Sequence, residues 1–158
     1  MNVYVYDPYV EKEKVKVSGA IPVDNISENL PKMDAVTLHC PKNDETTDLF
    51  TTQEFDLMKK SSFIINCARG GILNEEDLYE ALTNKKIAGA GLDVFDVEPT
   101  PSSNPLFRLN NVILSPHIAG VTVESTVRMA TETVQNVLDV LDDKINQSVV
   151  VNNKEIGM

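Results

Sequence analysis

With 158 residues, 42% of them hydrophobic, the chain is long enough to build one domain around a sizeable core. Its 14 basic and 24 acidic residues give a formal net charge of -10, a surface that repels nucleic acid and anionic membrane and serves solubility instead. Cys40 and Cys67 form no CxxC pair and no disulfide framework, no apolar run reaches the ~18 residues of a membrane span, and MNVYVYDPYV lacks a signal-peptide core, so the expected setting is a reducing cytoplasm without membrane or nucleic-acid partners.

Along the chain, short apolar runs alternate with helical patterns. The β-rich run VYVY at 3–6 stops at Asp7-Pro8, and a second short strand is expected at 20–23. A helix is predicted near 26–31, then a strand at 35–38 that ends in His39-Cys40-Pro41. Thr51 or Thr52 has the side chain to cap a short helix running through Met58. FIIN at 63–66 is a compact apolar run bounded by Ser62 and by Arg69-Gly70-Gly71. Asn74 is the expected cap of the next helix, in which Leu78, Ala81 and Leu82 share one face. Residues 87–94 read as a strand whose glycines mark close backbone approach. A proline-rich loop at 99–105 leads to a strand at 112–115, which ends in Pro116-His117. The last helix is predicted at 122–142, with Val123, Val127, Ala130, Val134, Val137, Leu138 and Leu141 as its apolar stripe.

Short strands separated by helices predict an α/β fold, a Rossmann-type doubly wound parallel sheet. In such sheets ligands bind in the crevice beyond the carboxyl ends of the strands. The residues just past the predicted strands are Asp7, His39-Cys40-Pro41, Cys67-Ala68-Arg69, the run from Asp93 to Glu98, and Pro116-His117. Ionisable groups therefore collect along one edge.

Each candidate has a plain reading beside the functional one. Asp7 is placed to accept hydrogen bonds from a ribose, or simply to form a turn before Pro8. Arg69 offers a planar fork that matches a carboxylate in two parallel hydrogen bonds, or is a surface arginine in a loop. His117 suits proton exchange with a substrate hydroxyl, or is a packed or surface histidine. Glu98 is the natural carboxylate to sit beside it and fix its tautomer. One arginine, one acid and one histidine at separate strand ends form a credible site for 2-hydroxy or 2-oxo acid chemistry. A nicotinamide would carry the hydride.

At these residues a family resemblance appears. LMKKSSFIINCARGGILNEEDLYEAL, GLDVFDVEP and NVILSPHIAGVT, with TLHCPKNDETTDLF before them, resemble the D-isomer-specific 2-hydroxyacid dehydrogenases over residues 1–141. The resemblance implies an NAD-dependent oxidoreductase that interconverts a D-2-hydroxy acid and its 2-oxo acid. It implies that Arg69 holds the substrate carboxylate, Glu98 is paired with the histidine, His117 is the general acid/base and Asp7 binds the ribose, leaning toward NAD. It also implies that Cys67, Ala68, Asp93, Ala119 and Gly120 lie around the nicotinamide, and that His39, Cys40, Pro41 and Thr47 line the adenosine side. No metal ligand set and no cysteine nucleophile is implied.

The departure from the family is at the front. A GxGxxG phosphate loop should lie about 20 residues before the ribose acid, yet Asp7 is the seventh residue and no GxGxxG occurs in the chain. The expectation is a truncated domain: residues 1–142 as a partial NAD-binding domain, 143–158 as a C-terminal tail without a packing partner, and no substrate-binding domain. Without the first strand, the sheet should split into a small piece at 1–23, loosely attached or paired against 35–38, and a main piece from 34 onward. The leading reading is a fragment of a dehydrogenase, homodimeric in its full-length form and inactive alone. The alternatives are a non-catalytic nucleotide-binding or regulatory module, and one half of a split enzyme.

Overall fold

In the computed structural model, which describes residues 1–152, the main sheet has four parallel strands. These are β3 (Ala35–Leu38), β4 (Phe63–Asn66), β5 (Gly89–Leu92) and β6 (Val112–Leu114), in that spatial order. Ile64 lies opposite Val36 and Ala90, and Asn66 opposite Leu38 and Leu92. Because side chains alternate along a strand, this register puts Leu38, Ile64, Asn66, Ala90 and Leu92 on one buried face. That face carries the core, shared with Phe55 of α2 (Thr52–Leu57) and with Leu78, Ala81 and Leu82 of α3 (Glu75–Thr83). Each such large apolar side chain contributes about 1.5–3 kcal/mol when fully buried. On the opposite face Phe63 remains 51% and Ile113 80% exposed.

The helices begin where their caps dictate. Thr51 and Glu54 form a reciprocal capping box at α2, and the Asn74 side chain accepts from the Asp77 backbone N–H at α3. Both helices run from loops that follow strand carboxyl ends, so the residues just past β3 and β4 are tied to capped, buried elements.

The second sheet is separate. β1 (Tyr4–Val5) and β2 (Ile21–Pro22) pair in parallel with each other, and neither pairs with β3. The split expected from the sequence is therefore present. The small piece falls within the same unit as the main sheet, Met1–His117. The Tyr9 hydroxyl donates to Glu45 in the loop after β3, and that carboxylate pushes the phenol pKa up. Two elements differ from expectation. Residues 12–17 form a helix, α1 (Lys12–Val17), which buries only Val15 and is supported by the Glu13–Lys16 ion pair. The helix predicted near 26–31 is only a 3-10 turn at Leu30–Lys32, because Pro31 supplies no N–H to a longer ladder.

The second unit, Ile118–Met158, is built on α4 (Val123–Leu141). Thr122 and Ser125 cap it reciprocally. Its apolar stripe is as the sequence spacing predicts, and every residue named in it except Ala130 is an exposed large hydrophobic. A 3-10 turn at Gln147–Val149 follows. The expected lack of a packing partner for the tail falls partly on residues 153–158, which lie outside the described residues.

Candidate functional site

The Arg69 loop is fixed from below by a residue with no assigned role in the sequence reading. Asn66, the last residue of β4, is only 1% exposed. Its Oδ1 accepts from the Ala68 backbone N–H at 3.0 Å, and its Nδ2 donates to the Arg69 carbonyl at 2.9 Å. Arg69 itself is exposed, and one guanidinium nitrogen, Nη1, donates to the Ala68 carbonyl at 2.6 Å. The rest of the fork remains for a ligand. Gly70 lies so close to the loop after β5 that an added Cβ would overlap the Phe95 carbonyl. Gly71 has φ +76°, which glycine adopts without cost.

The ends of β5 and β6 bring the acid and the histidine together. Asp93 is 2% exposed and its Oδ1 accepts from the Ser115 hydroxyl at 2.5 Å. Its backbone carbonyl accepts from the His117 N–H at 2.8 Å. Glu98 reaches back to accept from the Phe95 N–H through Oε1, and its Oε2 lies 2.8 Å from His117 Nδ1. His117 is held at φ +56°, in the left-handed region that costs a side chain with a Cβ. The hydrogen bond from His117, followed by that from Phe95 N–H, holds Glu98 below the usual carboxylate range. An ionised carboxylate at Nδ1 places the ring proton there, and Nε2 is left for exchange. The pair borders a cavity of about 670 Å³, walled in part by Phe95, Phe107 and Leu114. The rings of Phe95 and Phe107 meet edge-on at 6.1 Å.

The residues expected around the cofactor are distributed as follows. Asp7 lies two residues past β1, is exposed, and accepts from the Tyr9 N–H through Oδ1. The turn reading of Asp7 is realised in this bond. Past β3, His39 Nε2 is 2.9 Å from Thr37 Oγ1, the Pro41 carbonyl accepts from Thr46 Oγ1, and Thr47 Oγ1 donates to the Asn43 carbonyl. Burial pushes the Cys40 thiol up. Cys67 is exposed beside Ala68. Ala119 and Gly120 belong to the second unit, where the Gly120 carbonyl accepts from Ser125 Oγ. The sequence reading missed Asn66 and Ser115. Their signal was a polar residue closing an otherwise apolar strand, in FIIN and in VILS.

Among the described residues, no group of three or more His, Cys, Asp or Glu is placed to hold a metal ion. No helix among them is long and apolar enough to cross a membrane.

Comparison with known proteins shows the family. Residues 1–119 match the family model described as D-isomer specific 2-hydroxyacid dehydrogenase, NAD binding domain. The chain is 41% identical over 150 residues to the D-3-phosphoglycerate dehydrogenase of Methanocaldococcus jannaschii, covering 95% of this chain and 28% of that protein. It is 42% identical over 127 residues to the glyoxylate reductase of Thermofilum pendens, covering 80% of this chain and 37% of that one. Among solved structures, the D-lactate dehydrogenase from Aquifex aeolicus complexed with NAD and lactic acid superposes with a TM-score of 0.80 at 32% identity, covering 91% of this chain and 47% of that one. A putative D-3-phosphoglycerate dehydrogenase from Ralstonia solanacearum gives 0.84 at 29% identity, covering 97% and 44%. The chain thus spans less than half the length of these relatives.

Proposed function

Because the chain belongs to the D-isomer specific 2-hydroxyacid dehydrogenase family, through its NAD-binding domain, we propose that it carries the proton-exchange and carboxylate-binding groups of an enzyme interconverting a D-2-hydroxy acid and its 2-oxo acid. The observation that carries this reading is the 2.8 Å contact between Glu98 Oε2 and His117 Nδ1 at adjacent strand ends. A module that only bound nucleotide would have no use for that pair.

The residues present fit a dinucleotide. Asp7, just past β1, would hold the ribose hydroxyls, and the loop from His39 to Thr47 would line the adenosine side. Cys67, Ala68 and Asp93 would surround the nicotinamide, which when bound supplies or accepts the hydride.

Arg69 holds the substrate carboxylate through parallel N–H···O bonds and draws the neighbouring carbonyl into line. In the reducing direction His117 Nε2 gives its proton to the carbonyl oxygen as the alcohol forms. In the oxidising direction it takes the hydroxyl proton. Glu98 stays ionised through the neutral range and stabilises the imidazolium that appears during exchange. The complete enzyme is read as a cytoplasmic homodimer, which sedimentation of the purified protein checks.

The test is a chimera in which this chain replaces the matching segment of the archaeal phosphoglycerate dehydrogenase relative. His117→Asn keeps a side chain tolerant of the left-handed conformation while removing proton exchange. We expect turnover to fall by about 10²–10⁴, with NADH affinity within about twofold. Unchanged turnover would refute the role of His117.

A further inference from the structure

We propose that Asn66 is a positioning residue of this site: its buried amide sets the loop that presents Arg69 and ties that loop to His117. The proposal rests on the reading of Arg69 as the group that holds the substrate carboxylate.

Both halves of the Asn66 side-chain amide, and its backbone carbonyl, are bonded within this small region. Oδ1 takes the Ala68 N–H, and Nδ2 gives a hydrogen to the Arg69 carbonyl. These two bonds span the residues on either side of the Ala68–Arg69 peptide, so they fix that peptide and hence the direction in which the Arg69 side chain leaves the loop. Its backbone carbonyl accepts from the Asp93 N–H at 3.0 Å, and the Asp93 carbonyl in turn accepts from the His117 N–H at 2.8 Å. A hydrogen-bonded path therefore runs across three strand ends from the carboxylate-binding group to the acid/base group, with Asn66 at its start.

A purely structural account explains this less well. Asn66 lies in the buried register row between Leu38 and Leu92. An apolar residue would fill that row and avoid desolvating an amide, which is costly unless both its halves are paired. Both halves are paired, and both partners lie in the loop that carries Arg69. No smaller or purely apolar side chain supplies a donor and an acceptor in that arrangement, and Asp supplies only acceptors when ionised.

The experiment uses the active chimera and the full chain. Asn66→Asp keeps the shape and the acceptor but loses the donor to the Arg69 carbonyl, while Asn66→Ala loses both. We expect substrate KM to rise on the order of tenfold or more for Asn66→Asp, with a smaller fall in kcat. NADH affinity should be unchanged in both variants, and so should the pH profile set by His117 and Glu98 in Asn66→Ala, which adds no titrating group. The decisive reading is a cycle with Arg69→Lys. If Asn66 acts through Arg69, then in the Arg69→Lys background the Asn66 change adds little. Additive losses in KM, or losses confined to kcat or NADH affinity, overturn the proposal. If neither Asn66 variant folds, hydrogen exchange on the unaltered chain decides. The Ala68 amide should be strongly protected in an otherwise exposed loop, and free exchange there overturns the proposal. Failure of the parent reading is distinguishable, because then Arg69→Lys itself leaves substrate KM unchanged.

Discussion

Gly70→Ala probes the seam between the Arg69 loop and the acid loop. The added Cβ would overlap the Phe95 carbonyl and lie 2.7 Å from the Asp96 nitrogen. Carbon and oxygen first meet comfortably at about 3.3 Å, and both neighbours are backbone, so no side chain can swing aside. One of the two loops must therefore retreat by about an ångström. The stability cost of such overpacking is about 1–3 kcal/mol. In a chain of this size that lowers Tm by roughly 2–4 °C per kcal/mol. The effect on catalysis should be larger, since a misplacement of that size costs on the order of 10²-fold in rate. Gly91→Ala is the control: its Cβ would meet only Ile65 Cγ1 at 3.8 Å, an ordinary contact. The assay is thermal unfolding and steady-state kinetics of both variants in the chimera. If the two substitutions behave alike, the close approach of the loops is not what holds Arg69 against the acid loop.

Two further changes test the histidine end. Glu98 has a folded pKa held below its ordinary 4.5, so the stability it contributes is fully present above that value. It is lost as pH falls through the folded value. Unfolding of Glu98→Gln should therefore lack this acid-side loss, with wild type losing its advantage below about pH 4.5; parallel pH curves would contradict the pairing. At His117 the left-handed backbone costs a residue with a Cβ about 1–2 kcal/mol, against the ~0.5–1 kcal/mol of extra chain entropy that glycine loses. His117→Gly should accordingly melt above His117→Ala by about 1–4 °C, the reverse of the usual order; if alanine melts higher, the left-handed assignment is wrong.

Strand and helix positions were legible because they rest on local signals. FIIN is bounded by polar residues, Asn74 is a strong cap, and Leu78, Ala81 and Leu82 recur at helical spacing, and each survives in the fold. The helix at 12–17 was not legible, because its run of alternating charges carries only Val15 to the interior and looks like a solvated segment. The helix near 26–31 was overread from apolar spacing, where Pro31 permits only a turn. At the site, the ionisable groups were legible as residue types beyond strand ends. The pairing of Glu98 with His117 was expected from adjacent loops and is realised in the geometry. Asn66 and Ser115 were not singled out, because the partners that give them weight lie 2 to 22 residues away in the chain.

Asn66, Ser115 and Gly70 explain why the charged residues are useful. Arg69 and His117 are both exposed side chains on loops, and loops alone leave such groups free to wander. A carboxylate clamp and a proton donor act on the same small molecule only if their separation is fixed before it arrives, since ordering them on binding would consume affinity. Gly70 lets one backbone touch the other, Asn66 pins the peptide that aims Arg69, and the Ser115 hydroxyl on Asp93 steadies the turn whose carbonyl holds His117. The charged groups can thus stay open to solvent and substrate while the rigidity lies beneath them, in the buried, hydrogen-bonded Asn66 and Asp93 and in the close backbone approach at Gly70.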